Sequence, residues 1–361
     1  MNLAPCIPPH QNNLFSAWQQ LLQQQPRLRA REAARQLAVS EAELIASRLG
    51  LNTLRLRPDW RELLPALESL GRIMALTRNE SCVHERKGIY REVTLAGNGR
   101  MGLVLSADID LRLFLGGWHS LFAVEQETAH GMQRSLQVFD QHGVAVHKVF
   151  LTADSDLDAW GRLLARFAEP TQLPPEDLLP LPARAAERAD SAVDVEGLRQ
   201  GWAQLKDVHH FHALLGRYQV GRQQALRLAG RQWAEPLDPQ ALPQMMGEAA
   251  AQQLPVMLFV GNRHCIQIHG GPIQTLRWAG DWFNVLDADF NLHLDMPAVA
   301  QLWRVRKPSV DGLITSWEAF DVDGELILQM FGLRKPGQPE LAAWRALAEG
   351  TPAQESAADA S

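Results

Sequence analysis

Three of the chain's twelve histidines stand within four residues, at His209, His210 and His212, on a stretch whose pattern predicts a helix. In a helix, His209 and His212 are one turn apart and share a face, whereas His210 points about 100° away. Imidazole is a good ligand for transition metals and a proton acceptor near neutral pH. Three histidines without Cys, Asp or Glu at ligand spacing make no closed metal site. The stretch therefore predicts either a place where imidazole binds a metal centre or a polar helix surface rich in histidine.

The common hydrolase and nucleotide motifs are absent from the sequence, which contains no GxSxG, no P-loop and no HExxH. Residues 97–102 match GxGxxG, but they lead into a predicted strand rather than a helix. No helix N-terminus would then be present to bind a pyrophosphate. We interpret Gly97-Asn98-Gly99 as the turn of a β-hairpin.

Length and composition favour an intracellular globular protein of two domains. The chain has 361 residues, of which 46% are hydrophobic and 21% charged, and its net charge of −6 argues against a protein built overall around nucleic acid or acidic membranes. Its three cysteines, Cys6, Cys82 and Cys265, are widely spaced and offer no CxxC, which fits a reducing compartment. The N-terminal stretch 1–12 contains no apolar signal segment, and every apolar run is much shorter than a membrane-spanning helix requires. We expect a cytoplasmic protein without membrane insertion.

The part of the sequence that must form the elements positioning these residues occurs twice in the chain. Three segments recur at one constant spacing along the chain: 39–44 with 220–225, 107–113 with 288–294, and 139–143 with 320–324. Three matches at one spacing indicate a duplication, with a period too long for a solenoid. We predict an N-terminal repeat at 1–168, a Pro-rich linker at 169–195, a C-terminal repeat that contains the histidine cluster at 196–349, and a disordered tail at 350–361.

Each repeat begins with helices, continues with strands and ends with a helix, which predicts an α+β fold. In the first repeat we predict helices at 14–22, 29–37, 41–49 and 156–168, and strands at 82–84, 102–106, 111–114, 136–139 and 144–150. The segments 139–143 and 320–324 each resemble a hairpin turn. We expect each repeat to form a large antiparallel sheet with helices at one side, the two repeats packing together by their sheets.

The first repeat also contains a pattern that resembles a DNA-binding helix-turn-helix. Residues 29–44 combine small residues, a Val39-Ser40 turn and spaced leucines, and Arg29, Arg31 and Arg35 make the region basic. DNA contact through these arginines is therefore a hypothesis. The alternative is that the pattern is the repeat's own helix pair, because the second copy has the same layout.

The two copies differ at the positions that could bind a ligand. His209 falls opposite Leu28, and Arg222 falls opposite Glu41, so the imidazole cluster belongs to the second copy alone. The second copy adds further cations and aromatic residues, and the first contributes an Asp-Leu-Arg-Leu-Phe strand. An imidazole, several cations and loose aromatic residues suit a flat apolar ligand with a metal centre and anionic edges. Haem is such a ligand.

At these residues the sequence resembles the cytoplasmic haem-binding proteins of bacterial haem-uptake operons, the HemS/ChuS/PhuS family, also called hemin-degrading factors. The resemblance covers nearly the whole chain, and the histidine cluster looks closest to the pseudomonad PhuS type. It is carried by Asp207-Val208-His209 with the following Arg-Gln-Gln-Ala helix, by Arg306-Lys307-Pro308 with Asp311-Gly312, and by residues 108–114.

The resemblance implies a role for each of the following residues. His209 would be the haem iron ligand, with His210 and His212 as alternate ligands. The distal side would hold Arg112 and Phe114. The porphyrin edge or the propionates would meet Arg222, Lys307, Gln329 and Arg334, and the macrocycle would pack on Phe259 and Phe331. Several relatives have Tyr where Phe331 stands, which puts a hydrogen bond to the haem edge there in doubt.

Most of these residues have a structural alternative in the sequence alone. Phe114 and Phe259 are by default core residues, Lys307 and Arg334 solvated charges, and Arg112 an outward salt-bridge partner.

Three functions follow as expectations. The first is a carrier that takes haem b, as cargo or substrate, to a haem oxygenase after import, with the haem-import transporter as a second candidate partner. The second is an enzyme that opens the porphyrin ring with an external electron donor, for which the sequence offers no flavin or nicotinamide motif. The third is a DNA-binding regulator that uses Arg29, Arg31 and Arg35. We favour the carrier, because His210 and His212 supply spare imidazoles for ligand exchange.

Overall fold

The computed structural model describes residues 9–129, 131–174, 178–184, 186–335 and 337–354. The chain divides into two compact units, each discontinuous in sequence. Unit 1 comprises Met1–Arg78, Glu85–Pro182 and Asn262–Gln267, and unit 2 comprises Asn79–His84, Ala183–Gly261 and Ile268–Ser361. Each unit thus includes a six-residue segment from the other half of the sequence. The continuous repeat boundaries stay a prediction, and both Cys6 and most of the predicted tail, from residue 355 onward, lie outside the described residues.

The first half of the chain begins with helices, continues mainly with strands and ends with a helix, the order expected of the repeat. Its elements are α1 (Pro9–Gln24), α2 (Ala30–Gln36), α3 (Glu41–Ala46), β1 (Thr53–Leu56), α4 (Trp60–Ala66), β2 (Gly71–Arg78), β3 (Cys82–Ile89), β4 (Val93–Ala96), β5 (Met101–Leu105), β6 (Asp110–Leu113), β7 (Trp118–Thr128), β8 (Gly131–Asp140), β9 (Ala145–Ser155) and α5 (Leu157–Phe167).

The second half repeats this order of elements. They are α6 (Val195–Ala203), α7 (His210–Tyr218), α8 (Arg222–Ala229), β10 (Ala234–Leu237), α9 (Ala241–Ala251), β11 (Val256–Asn262), β12 (Cys265–Gly271), β13 (Leu276–Ala279), β14 (Trp282–Leu286), β15 (Phe290–Asp295), β16 (Gln301–Ser309), β17 (Gly312–Phe320), β18 (Leu326–Gly332) and α10 (Ala342–Gly350). Every predicted element of the first repeat is present with bounds that differ by a few residues; the strand predicted at 82–84 runs on to Ile89.

The strands form two nine-stranded antiparallel sheets, which confirms the α+β fold class. Within unit 1, β1, β7, β8, β9 and β2 are neighbours in that order, and β4, β5 and β6 form a meander. Within unit 2, the corresponding orders are β10, β16, β17, β18, β11 and β13, β14, β15. Among the described residues, no helix has both the length and the apolar character that crossing a membrane requires.

The predicted hairpin turns are confirmed, and the two copies build theirs in the same way. Asp140 ends β8, and its Oδ1 accepts hydrogen bonds from the backbone N–H groups of His142 and Val144. Asp321, at the equivalent position of the second copy, does the same for Asp323 and Glu325 between β17 and β18. An aspartate that bonds to the backbone two residues on favours a tight turn. The Gly97–Gly99 turn likewise joins β4 to β5.

Helices cover both faces of the main sheet in each unit, whereas one side was expected. In unit 2, α9 and α10 pack on the face that includes Leu302 and Trp317, and α6, α7 and α8 pack on the opposite face at Trp303 and Val305. The physical reason is that successive residues of β16 point to opposite faces, and each face carries a buried apolar residue, Leu302 on one and Trp303 on the other. Unit 1 is arranged alike, with α4 and α5 on one face and α1 to α3 on the other.

Candidate functional site

His209 lies immediately before α7, with its side chain in solvent and one ring nitrogen occupied. The residue is the N-cap of the helix with helical backbone angles, and its side chain is 83% exposed. Its Nδ1 lies 2.6 Å from Oδ1 of Asp207, which also accepts the backbone N–H of His209 at 2.8 Å. These bonds, the backbone one first, lower the pKa of Asp207. Because an ionised carboxylate only accepts, Nδ1 donates and Nε2 keeps the lone pair that a metal needs.

His210 and His212 occupy the first turn of α7, and both are exposed. Together with His209 they present three imidazoles at one end of a helix. In the described part of the chain, no group of three or more His, Cys, Asp or Glu side chains is arranged to hold a metal ion. The arrangement suits an iron that already has four porphyrin nitrogens and needs only an axial imidazole.

Glu318 on β17 brings together three of the residues predicted for the haem edge. Its Oε2 accepts Nε of Arg222 at 2.6 Å, and its Oε1 accepts Nη2 of the same guanidinium at 2.9 Å. Oε1 also accepts Nζ of Lys307 at 2.6 Å, Nε2 of Gln329 at 3.0 Å and the hydroxyl of Ser316 at 3.2 Å. We refer to Arg222, Lys307, Glu318 and Gln329 as the Glu318 cluster. It places two cations around one carboxylate, with a net charge of +1 when Lys307 is protonated.

Burial makes this cluster electrostatically strong. The side chain of Glu318 is inaccessible and that of Lys307 is 4% exposed, whereas that of Arg222 is 27% exposed. Burial would raise the pKa of Glu318, but Arg222 and Lys307 reverse the effect, so that the pKa lies well below its usual range. Burial lowers the pKa of Lys307 to about 8, although Glu318 opposes the shift. Arg222 is therefore the cation of the cluster that reaches solvent, and Lys307, predicted as a possible solvated charge, is a buried ion-pair partner.

The strand register places the predicted aromatic residues on the same sheet face as the cluster. Phe259 on β11 lies opposite Gln329 on β18, and Gln329 lies opposite Glu318 on β17. Because side chains alternate along a strand, Phe331 shares the face of Gln329. The rings of Phe259 and Phe331 meet edge to face at 5.1 Å, and both are only partly buried. This half-exposed aromatic pair beside the cluster could support the face of a flat apolar ligand.

Arg334 has a different partner from the other predicted edge residues. Its Nη2 donates to Oδ2 of Asp311 at 2.8 Å, and the same carboxylate oxygen accepts the backbone N–H of Gly337 at 3.1 Å. Arg334 is thus a largely buried salt-bridge partner just after β18, outside the Glu318 cluster.

The two residues predicted for the distal side belong to unit 1. Arg112 lies on β6 and is ion-paired with Asp110 of the same strand. Burial raises the pKa of Asp110, although Arg112 opposes the shift. Phe114 follows β6 half-buried, and its backbone N–H donates to the carbonyl of His264 at 3.0 Å. Their distal roles stay a prediction.

The helix-turn-helix pattern corresponds to α2 and α3 of unit 1. Ser40 caps α3 through a capping box with Glu43, as a serine at this position should. Five of the six residues of α3 are buried, and the exposed one is Glu43. A recognition helix must present side chains to the major groove, and the one exposed side chain of α3, that of Glu43, is acidic. Arg29 and Arg35 are exposed at α2, whereas Arg31 is partly buried and paired with Glu32.

Sequence reasoning missed two residues of the site. Asp207 was visible two positions before His209, where its carboxylate could reach the ring. Glu318 had one weak signal, since it is the single charged residue in the otherwise uncharged segment Ile314–Phe320. A charge within a buried strand requires a partner, but nothing in the sequence identifies Arg222, 96 residues away, as that partner.

The chain matches a known protein family over both repeats. A model described as the haemin-degrading HemS.ChuX domain matches residues 38–167 and again residues 219–350. The two matches agree with the internal duplication and together span well over half of the chain.

Three relatives each resemble the chain over more than nine-tenths of its length. The hemin transport protein HemS of Yersinia enterocolitica is 42% identical over 337 residues, which cover 92% of this chain and 95% of that protein. The crystal structure of holo-PhuS, a haem-binding protein from Pseudomonas aeruginosa, is 60% identical with a TM-score of 0.93, covering 95% of this chain and 99% of that one. That of ChuS, an E. coli haem oxygenase, is 36% identical with a TM-score of 0.85, covering 94% and 99%.

Proposed function

The chain belongs to the haemin-degrading HemS.ChuX family, and on that premise we propose that it is a haem-binding protein that carries haem to a haem oxygenase. The observation that carries the proposal is the pairing of His209 with Asp207 at 2.6 Å. It fixes the tautomer with Nε2 as the metal-binding nitrogen, as carboxylate–histidine pairs do at metal sites. The name of its relative holo-PhuS, a haem-binding protein, supports the same ligand.

The remaining residues of unit 2 suit the rest of a haem molecule. When bound, haem would supply an iron that accepts an axial imidazole and two carboxylates at its edge. Nε2 of His209 would be that axial ligand. The Glu318 cluster carries a net charge of +1 and would attract a carboxylate, with Arg222 offering its partly exposed guanidinium. Phe259 and Phe331 would contact the macrocycle, and Arg334 would support the edge through its bond to Asp311.

Arg112 and Phe114 remain our candidates for the distal side on the strength of the family resemblance. A guanidinium stays protonated and would hydrogen-bond a distal water or hydroxide rather than bind iron. The pairing of Arg112 with Asp110 supports such a role, since it holds the side chain in one orientation.

A carrier must release its cargo, and the exposed histidines of α7 support this. His210 and His212 are within a turn of His209 and equally open to solvent, so that one imidazole can replace another as haem leaves. The partners would be a haem oxygenase and, on arrival of haem, the import transporter. The buried, unpaired cysteines Cys82 and Cys265 fit our proposal of a cytoplasmic location.

Two further functions have an observation in their favour. A relative with 36% identity, ChuS, is described as a haem oxygenase, which supports an enzyme that opens the porphyrin ring with electrons from an external donor. DNA binding rests on the exposed Arg29 and Arg35 alone, because the burial of α3 argues against reading bases in the major groove.

Absorption spectroscopy with one equivalent of haemin tests the proposal. We expect a Soret band that is weakened and shifted in His209→Ala and lost in the triple variant His209→Ala/His210→Ala/His212→Ala. Under ascorbate or an NADPH–reductase system with catalase present, the band should persist until a haem oxygenase is added. Catalase is needed because free peroxide destroys haem without any enzyme.

Three other results of the same spectroscopy would contradict the carrier, the ligand helix or haem binding itself. Bleaching to a defined tetrapyrrole with release of iron, without a haem oxygenase, would establish the enzyme. A Soret band that is unchanged in the triple variant would exclude α7 as the source of the iron ligand, and the absence of any Soret band would refute haem binding.

A further inference from the structure

Phe211 lies between the proposed iron ligands in sequence but points to the opposite side of α7. His209, His210 and His212 are exposed, whereas Phe211 is 2% exposed. Its ring packs edge to face on Trp202 of α6, with 4.6 Å between the ring centroids. Phe211 therefore anchors the first turn of α7, the turn that carries the histidines, to the body of unit 2.

The face of the same ring contacts both cations of the Glu318 cluster. Nζ of Lys307 lies 4.6 Å from the centroid of the Phe211 ring, and Cζ of Arg222 lies 5.2 Å from it. Both cations interact with an aromatic face at these distances, and the attraction strengthens where water is excluded. Since Glu318 holds both cations, one aromatic ring connects the carboxylate-binding cluster to the histidine turn.

We propose that Phe211 is a positioning residue through which a carboxylate bound at Arg222 changes the balance among His209, His210 and His212 as iron ligands. The inference rests on the proposed function. A propionate that engages the exposed side of Arg222 competes with Glu318 and with the Phe211 ring for the same guanidinium. The contact that holds the ring then weakens, and the first turn of α7 gains freedom.

The expected effect is small but measurable. A ligand shifts an equilibrium only by its differential interaction with the two states, and here the difference is one cation–π contact. We expect the ratio of His209-ligated to alternately ligated protein to change about three- to tenfold between haem and haem dimethyl ester, whose edge carries no carboxylate charge. The ester should leave Phe211 anchored and favour His209.

Electron paramagnetic resonance of the ferric complexes provides the test. His209→Ala supplies the reference signal for the alternate ligands, and His210→Ala/His212→Ala supplies that for His209. The ratio would be measured with haem and with the dimethyl ester in the wild-type protein, in Phe211→Leu and in Phe211→Met, which keep apolar bulk but remove the aromatic face. A Phe320→Leu variant is the matched control, because Phe320 is fully buried in the same core.

The proposal predicts a three- to tenfold difference between the two ligands in the wild-type protein and in Phe320→Leu, and less than a twofold difference in both Phe211 variants. An equal difference in all four proteins would overturn it, as would equal ratios for both ligands in the wild-type protein. Should Phe211→Leu fail to fold, Phe211→Met alone decides. A Soret band that does not depend on the histidines would instead refute the proposed function.

Discussion

At the scale of single residues, the candidate site depends on a buried carboxylate that is ion-paired with two cations. Glu318 accepts hydrogen bonds from Arg222, Lys307 and Gln329 with no access to solvent. Unit 1 contains a comparable arrangement in which the carboxylate of Glu41 is buried between Arg78, at 2.5 Å, and Lys148, at 2.6 Å. Burial would raise the pKa of Glu41, but the two cations lower it overall. The repeats thus share a buried ion-pair cluster, and that of unit 2 contacts the ring of Phe211, which stands between the histidines in sequence.

Removing either carboxylate should destabilise the protein, but only one removal should affect haem. Glu318→Gln leaves Arg222 and Lys307 buried without a counter-ion, and we expect a loss of about 3–5 kcal/mol in the free energy of unfolding. Glu41→Gln should cost a similar amount. Haem affinity should rise in Glu318→Gln alone, because a haem carboxylate then no longer competes with Glu318 for Arg222. Urea unfolding and haem titration of both variants check this. A fall in affinity in Glu318→Gln, or an equal change in Glu41→Gln, would contradict the role given to the Glu318 cluster.

We expect Lys307 to make haem binding depend on pH. Its pKa of about 8 reflects burial and the nearby Arg222, offset by Glu318. An anion favours the protonated lysine, so the affinity for haem should weaken as the pH rises through about 8. We expect haem to dissociate about three to ten times faster at pH 9 than at pH 7, the range that one lost unit charge produces.

Haem transfer to apomyoglobin measures these dissociation rates. Lys307→Met has no titrating group at this position, so its rates should change less over the same range. Ionisation of an iron-bound water affects both proteins and cancels in the comparison. Equal pH dependence in the two proteins would contradict the role of Lys307.

At the scale of elements, α7 and the α2–α3 pair show how similar local sequences acquire different surroundings. His209 and the first turn of α7 expose three imidazoles, whereas the same turn buries Phe211 in the core of unit 2. The α2–α3 pair has the turn and cap of a helix-turn-helix, yet α3 is buried against the core of unit 1. Exposure rather than local geometry decides which helix can contact a partner.

If the chain binds DNA at all, the arginines of α2 should contact phosphates rather than bases. The double variant Arg29→Glu/Arg35→Glu should then weaken binding to any sequence and reduce the dependence of log K on log salt concentration by roughly 0.9 for each lost phosphate contact. Titration of labelled duplexes at several salt concentrations measures both.

A matched control for this test lies on α5 of the same unit. Arg162 and Arg166 are also exposed, and Arg162→Glu/Arg166→Glu changes the net charge equally. Binding that falls by the same amount in both double variants would indicate a general charge effect and remove α2 as a specific site.

At the scale of the whole molecule, each compact unit is completed by a segment from the other half of the sequence. Asn262 in unit 1 donates to the carbonyls of Arg78 and Val146, and Asn79 in unit 2 donates to those of Gly261 and Ile327. Cys265 and Cys82, three residues after these asparagines, are fully buried in the cores of units 1 and 2 respectively. The duplication has therefore produced units that depend on both halves.

Separation of the halves should expose this dependence. Residues 1–182 alone lack the segment 262–267, with its two asparagine hydrogen bonds and the buried Cys265, and residues 183–361 lack the segment 79–84. We expect each fragment to unfold at a lower temperature than the full chain, and an equimolar mixture to unfold at a higher temperature than either fragment. Calorimetry checks both points. Fragments as stable as the full chain would show that the exchanged segments contribute little.

The sequence by itself determined the features that depend on local pattern. Periodicity and turn residues predicted the α+β class, nine of the fourteen helices and strands described in the first half, and the hairpins at Asp140 and Asp321. The constant spacing of the repeated segments identified the duplication. The clustered imidazoles identified α7 as the candidate ligand helix, because residue type and helical spacing can be recognised in the sequence alone.

Only the tertiary structure decided which residues act together. Glu318 meets Arg222 across 96 residues of sequence because α8 packs on the sheet face to which β17 directs that carboxylate. Lys307, Gln329 and Phe211 join them through strand register and helix packing, and the helices cover both sheet faces because each face has buried apolar residues. These contacts depend on pairing between residues far apart in sequence and on the burial of charge. Their interaction energies become large only where the folded chain excludes water from the paired groups.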